Sequence, residues 1–150
     1  MYLKAYSKYL KGLKVVPVYG GENIITQLRQ LDITPQIIVA TPGRLIDLMN
    51  RKKVHLDQID FLVLDEADEM LNMGFQEDIT TIIEQTPESR RTLLFSATMP
   101  KSVEAISRNY MKEREEIAIG TKNSGNENVE HIYYMVQAKD RYSALKRIVD

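Results

Sequence analysis

The residues with the clearest chemistry are the acidic side chains Asp65, Glu66 and Asp68, which directly follow the apolar run Phe61-Leu62-Val63-Leu64. An Asp at the end of a buried strand can hold Mg²⁺, usually through water, against the phosphates of a nucleotide. The adjacent Glu66 could then orient or deprotonate an attacking water. The same residues could instead form an acidic turn in which Asp65 caps a helix and nothing is catalysed. On these residues alone both interpretations stay open.

Three other apolar runs also end in small, hydroxyl-bearing or cationic residues. The groups that follow them are Gly20-Gly21, Thr41-Pro42-Gly43-Arg44 and Ser96-Ala97-Thr98. In doubly wound α/β folds, ligands bind at the carboxyl ends of the strands, so four such groups predict a binding site along one edge of a sheet. Taken singly, the glycines are typical of a turn and the hydroxyl residues of helix caps. Only the whole set favours a site.

The position of these groups depends on strands that alternate with helices. The apolar runs are short and rich in β-branched and aromatic residues, which is typical of parallel strands buried on both faces. The predicted strands are Val15–Tyr19, Ile37–Ala40, Phe61–Leu64, Leu93–Phe95 and Ile117–Ile119. Amphipathic patterns between them predict helices, one of which begins at Pro42 with Thr41 as its cap. This alternation predicts an α/β layered fold.

Length, charge and composition narrow the class of protein. A chain of 150 residues is sufficient for one domain, or one domain with a tail. Since 20 Lys and Arg residues face 21 Asp and Glu residues, any nucleic-acid partner must be bound by local features rather than by bulk charge. The absence of Cys excludes disulfides, thiolate metal sites and cysteine nucleophiles. No apolar stretch resembles a membrane span or a secretory signal, so we expect a cytoplasmic location and no membrane partner.

A change of composition divides the chain near its C-terminal end. Residues 120–128 contain no apolar side chain and are dense in Gly, Asn and Ser, which predicts a linker. After it, residues 131–137 are predicted to form a strand and Arg141–Val149 a helix. That pair is expected to open a second domain.

In their order and approximate spacing, the four groups resemble the motifs of the bacterial-type DEAD-box ATP-dependent RNA helicases. The flanks agree as well, notably Met70-Leu71 after the acidic group and Met99-Pro100 after Thr98. The resemblance covers essentially the whole chain. It implies an α/β, RecA-like fold of the P-loop NTPase type, with a mostly parallel sheet and flanking helices. Residues 1–119 would belong to the first RecA-like domain, 120–130 to the interdomain linker, and 131–150 to the first strand and helix of the second.

The resemblance also implies roles for single residues. Asp65 would coordinate Mg²⁺ through water, and Glu66 would act as general base on the water that attacks the γ-phosphate of ATP. Asp68 would hydrogen-bond to Ser96 and Thr98 of the Ser96-Ala97-Thr98 segment and so couple the nucleotide site to the RNA site. The implied cofactors are ATP and Mg²⁺, and the implied partner is RNA, bound through its backbone and without regard to sequence. The residues implied to touch RNA are Gly20, Gly21, Thr41, Pro42, Gly43 and Arg44.

One element of that family has no counterpart in this sequence. The phosphate-binding loop G-x-x-x-x-G-K-[ST] is absent, since none of the seven glycines is followed by Lys. We therefore expect a RecA-like domain that is incomplete at its N-terminus and has no ATPase activity by itself. An incomplete sheet would leave an unpaired edge beside Leu93–Ser96, and unpaired edges attract other strands. The strand Ile132–Val136, from this chain or from a second copy, is predicted to pair there.

Two rival functions remain at this point. The chain could be a non-catalytic remnant that binds the RNA backbone through Gly20, Thr41 and Arg44. Alternatively, Asp65, Glu66 and Asp68 could bind metal directly in a metal-dependent hydrolase. The second rival is disfavoured because the strand ends carry no His and no further carboxylate.

Overall fold

The computed structural model describes residues 2–119, 130 and 132–149, which fall into two compact units with their boundary between Ala118 and Ile119. The first unit alternates short strands with helices, as predicted. Its elements are α1 (Tyr2–Tyr6), a 3-10 turn (Ser7–Tyr9), β1 (Val15–Val18), α2 (Ile24–Leu31), β2 (Ile37–Ala40), α3 (Pro42–Asn50), β3 (Phe61–Leu64), α4 (Ala67–Asn72), α5 (Gln76–Glu84), β4 (Arg91–Leu94) and α6 (Lys101–Tyr110).

The four strands form two parallel pairs. β1 pairs with β2 in a register that runs from Val15 opposite Ile37 to Val18 opposite Ala40. β3 pairs with β4, with Leu64 opposite Leu94 at the end of the pair. Parallel partners need a long crossover, and helices provide it: α2 connects the first pair, and α4 with α5 connects the second. The predicted α/β fold with parallel strands is confirmed.

Helices pack against both strand pairs. Val16 and Val18 of β1 pack with Leu48 of α3 and Ile82 of α5 in one apolar cluster. Leu64 of β3 packs with residues of α5 and α6 in a second cluster. Leu62 of β3 lies against both clusters, so the two strand pairs share a continuous core.

The expectation that the strands are buried on both faces is correct for β1 and wrong for β3. Leu64 is only 6% exposed, whereas Phe61 and Val63 are 57% and 53% exposed. Leu93 of β4 is exposed in the same way. Successive side chains of a strand point to opposite faces. The described helices cover only one of the faces of the β3–β4 pair.

Two predicted strands are not formed. Residues 117–119 belong to no strand, and Ile117 and Ile119 are almost fully exposed. A strand is stable only when a neighbour takes up its hydrogen bonds, and among the described residues, 117–119 pair with no strand. Residues 132–137 are likewise in no strand, so Ile132–Val136 does not pair beside β4 within this chain. Its pairing with a second copy stays a prediction.

The second unit consists of a short 3-10 turn at Ala138–Asp140 and the helix α7 (Arg141–Val149), at the range that the sequence predicted. The predicted linker lies outside the described residues apart from Glu130. No helix in the described part of the chain has the length and apolarity needed to cross a membrane.

Candidate functional site

Asp68, in the first turn of α4, binds the segment that follows β4. Its Oδ2 atom accepts hydrogen bonds from the backbone N–H of Thr98, at 2.8 Å, and from the Thr98 hydroxyl, at 2.6 Å. The backbone N–H of Asp68 donates to Oγ of Ser96 at 3.2 Å, and that hydroxyl donates to the Thr98 carbonyl at 2.6 Å. Ser96 and Thr98 therefore both bind Asp68. Neither caps α6, whose first turn follows Pro100.

The buried Asp68 carboxylate is stabilised in its charged form. Asp68 is only 4% exposed. The Thr98 hydroxyl is the main reason that the pKa of Asp68 falls to about 2, with further lowering by backbone and Ser96 hydrogen bonds against an opposing effect of burial. A carboxylate that accepts several hydrogen bonds keeps its charge at any ordinary pH. The contact is thus a charge-assisted connection between two segments that are distant in the sequence.

Asp65 and Glu66 stand exposed at the end of β3. Oδ1 of Asp65 accepts a hydrogen bond from the backbone N–H of Glu66 at 3.0 Å. Glu66 itself has left-handed backbone angles, φ 52° and ψ 45°, which non-glycine residues rarely adopt. The backbone N–H of Ala67 donates to the carbonyl of Phe95 at 3.0 Å, which holds this turn against the end of β4. Strained residues of this kind are concentrated at functional sites.

The arrangement of Asp65 fits the Mg²⁺ role that the sequence implied. Mg²⁺ retains several waters and commonly takes one or two protein carboxylates together with phosphate oxygens. The exposed Asp65 has one oxygen engaged by the Glu66 amide, and no hydrogen bond from the described residues occupies the second one, which can accept from a metal-bound water. In the described residues, no three His, Cys, Asp or Glu side chains are grouped to hold a metal by themselves. Asp68 in particular is engaged by Thr98, which disfavours the direct metal-hydrolase hypothesis.

At the end of β1, Gly20 and Gly21 form an exposed turn. Gly21 has φ +84°, so it needs the conformational freedom of glycine. At Gly20 the backbone imposes no such requirement, and a methyl group added there would meet no atom within 4 Å. The fold therefore gives no packing reason for the missing side chain at Gly20. The space beside the backbone is open to a ligand.

At the end of β2, the Thr41–Arg44 segment starts α3. The backbone N–H of Thr41 donates to the Val18 carbonyl at 2.9 Å, which joins this segment to the end of β1. Pro42 is buried at the first helical position, so it starts the helix and presents no side chain to a ligand. The prediction that the Thr41 hydroxyl caps α3 is wrong, because it makes no capping bond and is exposed. Gly43 is exposed, and a methyl group added there would meet no atom within 4 Å.

Arg44 reaches from α3 to the turn after β1 and contacts a residue that the sequence pattern did not single out. Its Nη1 atom donates to the backbone carbonyl of Glu22 at 3.3 Å and to Oε1 of Gln27 at 3.1 Å. Gln27 is completely buried. A signal was available: Gln27 lies three positions after Ile24, on the apolar side of α2, whereas the apolar Ile25 is 56% exposed.

The predicted site residues thus come together in two pairs of strand ends. Gly20, Gly21 and Arg44 meet at the end of the β1–β2 pair, and Asp65, Glu66 and Asp68 meet Ser96 and Thr98 at the end of the β3–β4 pair. The shared core described above joins the two pairs. That all four strand ends serve one ligand-binding rim stays a prediction.

The site agrees with the resemblance to helicases seen in the sequence: at the ends of parallel strands it has an exposed aspartate and glutamate, and a second aspartate that binds a Ser-Ala-Thr segment. The family model described as DEAD/DEAH box helicase matches residues 2–106. The chain belongs to the DEAD/DEAH box helicase family, and its fold is that of a RecA-like domain.

Curated relatives agree with this assignment. The chain is 47% identical over 140 residues to the DEAD-box ATP-dependent RNA helicase CshA of Streptococcus pneumoniae, and 44% identical over 140 residues to CshA of Bacillus subtilis. These alignments cover 93% of this chain but only 27% and 28% of the two relatives. The chain therefore spans about a quarter of the length of the curated relatives it matches.

Solved structures show the same fold. The yeast DEAD-box splicing factor Prp28 matches with a TM-score of 0.74 and 32% identity, over 97% of this chain and 34% of that one. A DEAD box protein from Methanococcus jannaschii matches with a TM-score of 0.69 and 39% identity, over 93% of this chain and 37% of that one.

Proposed function

We propose that this chain forms part of an ATP-dependent RNA helicase that couples ATP hydrolysis to local unwinding of RNA duplexes. In this proposal Asp65 holds Mg²⁺ through water, Glu66 is the general base for the water that attacks ATP, and Asp68 transmits the state of this site to Ser96 and Thr98. The surface formed by Gly20, Gly21, Thr41, Gly43 and Arg44 binds the RNA backbone.

The observation that carries the proposal is the pair of hydrogen bonds from Thr98 to Asp68. Asp68 follows Asp65 and Glu66 within a single turn, so a shift at the nucleotide-facing residues moves Asp68. Because the Asp68 carboxylate is buried and charged, it cannot leave Thr98 without a large loss of stabilisation. A displacement of the segment that carries Asp68 therefore moves the segment that carries Thr98 with it.

The proposed RNA surface suits a sugar–phosphate backbone. Its backbone amides are accessible at Gly20 and Gly43, the start of α3 contributes a partial positive charge, and Arg44 adds a full one. Phosphate contacts of this kind are insensitive to base sequence. They also account for RNA binding by a chain whose net charge is only -1.

Binding to fluorescently labelled single-stranded RNA, followed by anisotropy, tests the RNA part of the proposal. We expect similar affinities for oligonucleotides of different sequence, and weaker binding as salt increases because bound cations are released. Arg44→Ala should weaken binding, whereas the matched change Arg29→Ala, at an exposed position of α2, should have less effect. Binding that depends strongly on base sequence, or that Arg44→Ala leaves unchanged, would contradict this surface.

The catalytic part of the proposal applies to the whole enzyme and not to these 150 residues by themselves. They contain no G-x-x-x-x-G-K-[ST] segment, and Mg²⁺-ATP needs such a loop to cradle its phosphates. We therefore propose that this chain alone releases no phosphate from ATP, with or without RNA. Phosphate release that Glu66→Gln abolishes would overturn this.

A second candidate is a non-catalytic module that binds RNA. It is favoured because these residues lack the G-x-x-x-x-G-K-[ST] loop while the surface around Arg44 is intact. Retention on immobilised ATP would favour the helicase role. Loss of RNA binding in Arg44→Ala but not in Asp65→Ala, without retention on ATP, would favour the module.

A further inference from the structure

The completely buried side chain of Gln27 is fully engaged in hydrogen bonds. Its Nε2 atom donates to the carbonyl of Tyr19 at 2.8 Å and to Oε2 of Glu22 at 3.0 Å, while its Oε1 accepts from Arg44 at 3.1 Å. An amide is the only kind of side chain of this length that can donate twice and accept at once. A buried polar group left without these partners would be destabilising, so the site favours Gln over other side chains at position 27.

The partners of Gln27 surround the surface that we propose for RNA. Tyr19 stands immediately before the Gly20–Gly21 turn and Glu22 immediately after it, while Arg44 lies in the first turn of α3. One amide thus fixes both ends of the turn that follows β1 and the cation that follows β2.

Arg44 is held at only one of its nitrogens. Nη1 makes both of its hydrogen bonds, to Gln27 and to the Glu22 carbonyl. Within the described part of the chain, Nε and Nη2 donate to no acceptor. A guanidinium anchored in this way loses little conformational freedom when its remaining N–H groups bind a phosphate.

We propose that Gln27 is a positioning residue for RNA binding: it holds Arg44 so that the remaining N–H groups of the guanidinium meet the phosphates of one RNA strand. This inference rests on the proposed RNA-binding function. Gln27 does not touch the RNA, and its effect on affinity passes through Arg44.

A double-mutant cycle on the 150-residue chain tests this, with anisotropy of a labelled single-stranded RNA as the readout. Gln27→Met keeps the length of the side chain and removes its hydrogen bonds. We expect it to weaken RNA binding roughly tenfold, the size of one charge-assisted hydrogen bond. In an Arg44→Ala background the same change should weaken binding less than about threefold, because its target is already absent.

Gln30→Met is the matched control, since Gln30 lies on the same helix and its side chain makes no hydrogen bond among the described residues. It should leave the affinity within about twofold of the wild type. Equal losses for Gln27→Met with and without Arg44 would overturn the inference, because a merely structural role would not depend on Arg44.

A second variant covers the case in which Gln27→Met does not fold, as judged by circular dichroism. The double variant Glu22→Gln with Gln27→Glu exchanges donor and acceptor between these two neighbours, so that no two carboxylates face each other, and keeps an acceptor for Arg44. It should retain RNA affinity within about threefold of the wild type. A folded double variant that loses affinity as far as Arg44→Ala does would overturn the role of the contact between residue 27 and Arg44. Absence of RNA binding by the wild type would instead overturn the proposed function, and the positioning role with it.

Discussion

The carboxylate of Asp68 and the hydroxyl of Thr98 are 2.6 Å apart, although their positions in the sequence differ by 30. The Thr98 backbone amide binds the same carboxylate oxygen. This contact joins the end of β3 to the end of β4 beyond the last paired residues of the two strands. It depends on Asp68 being charged, which leads to the first prediction.

Acid should weaken the fold by protonating Asp68. Since the folded-state pKa is lowered from 3.8 to about 2, the stabilisation is fully present above about pH 4 and is lost as the pH falls through about 2. Its size is at most on the order of 2 kcal/mol. The free energy of unfolding, from urea titrations between about pH 6 and 2.5, should decrease less in Asp68→Asn than in the wild type. Glu69→Gln, at an exposed neighbour in α4, is the control. A gap between wild type and Asp68→Asn that does not change with pH would contradict the assignment.

Gly43→Ala should weaken RNA binding without lowering the stability of the fold. A methyl group at this position meets no atom, and Ala favours a helix by up to about 1 kcal/mol over Gly. Thermal unfolding should therefore occur at an equal or higher temperature in the variant. The methyl group would nevertheless occupy the space that we assign to a phosphate, so RNA affinity should fall about fivefold, equivalent to roughly 1 kcal/mol. Unchanged affinity in a stabilised variant would exclude close approach of RNA at Gly43.

Gly21 and Gly74 form a matched pair for the turn after β1. Both have positive φ, +84° and +89°, and at neither would an added methyl group clash. Substitution by Ala should destabilise the fold by about 1 kcal/mol in either case, because of the backbone strain. Only Gly21→Ala should also weaken RNA binding, measured under conditions where both variants are folded. Equal RNA affinities of the two variants would place the RNA elsewhere.

Glu66 should limit stability through its left-handed backbone. Glu66→Gly relieves the strain at φ 52° and should raise the free energy of unfolding by about 0.5–1 kcal/mol, after allowance for the greater freedom of glycine in the unfolded chain. Glu69→Gly, inside α4, should lower it by about 1 kcal/mol. Urea denaturation of the three proteins checks both expectations. A Glu66→Gly variant less stable than the wild type would show that the Glu66 side chain makes a contribution larger than the strain.

Much of the candidate site was predictable from residue order. Strand ends could be located because apolar runs stop abruptly near Gly20, Thr41, Asp65 and Ser96. The individual roles of the hydroxyl residues were not settled by this pattern, since helix capping and binding of Asp68 are equally compatible with Ser96 and Thr98. The folded chain brings them to Asp68, because β3 and β4 pair in parallel and end side by side.

The predictions that were wrong depend on which residues lie next to each other in the folded chain. Ile117–Ile119 and residues 132–137 have the composition of strands, yet a strand forms only where another strand accepts its hydrogen bonds. Likewise, Phe61 and Val63 are apolar but exposed, because burial depends on which face of the pair is covered. The type of a residue does not determine which strand pairs with it or which helix covers it.

The order of the motifs and the places where strands give way to turns could be inferred from residue order, because they follow from short-range patterns of apolar, small and charged residues. The family was indicated by the resemblance of those motifs to a known set. Two further facts emerge only in the folded chain: Gln27 is buried against Arg44, and Pro42 is buried. The contact of Asp68 with Thr98 was implied by the family resemblance, but the atoms that make it are seen only in the fold. The partners in the Asp68–Thr98 and Gln27–Arg44 hydrogen bonds lie 30 and 17 positions apart. They meet because the register of the strands and the packing of the helices bring their backbones together.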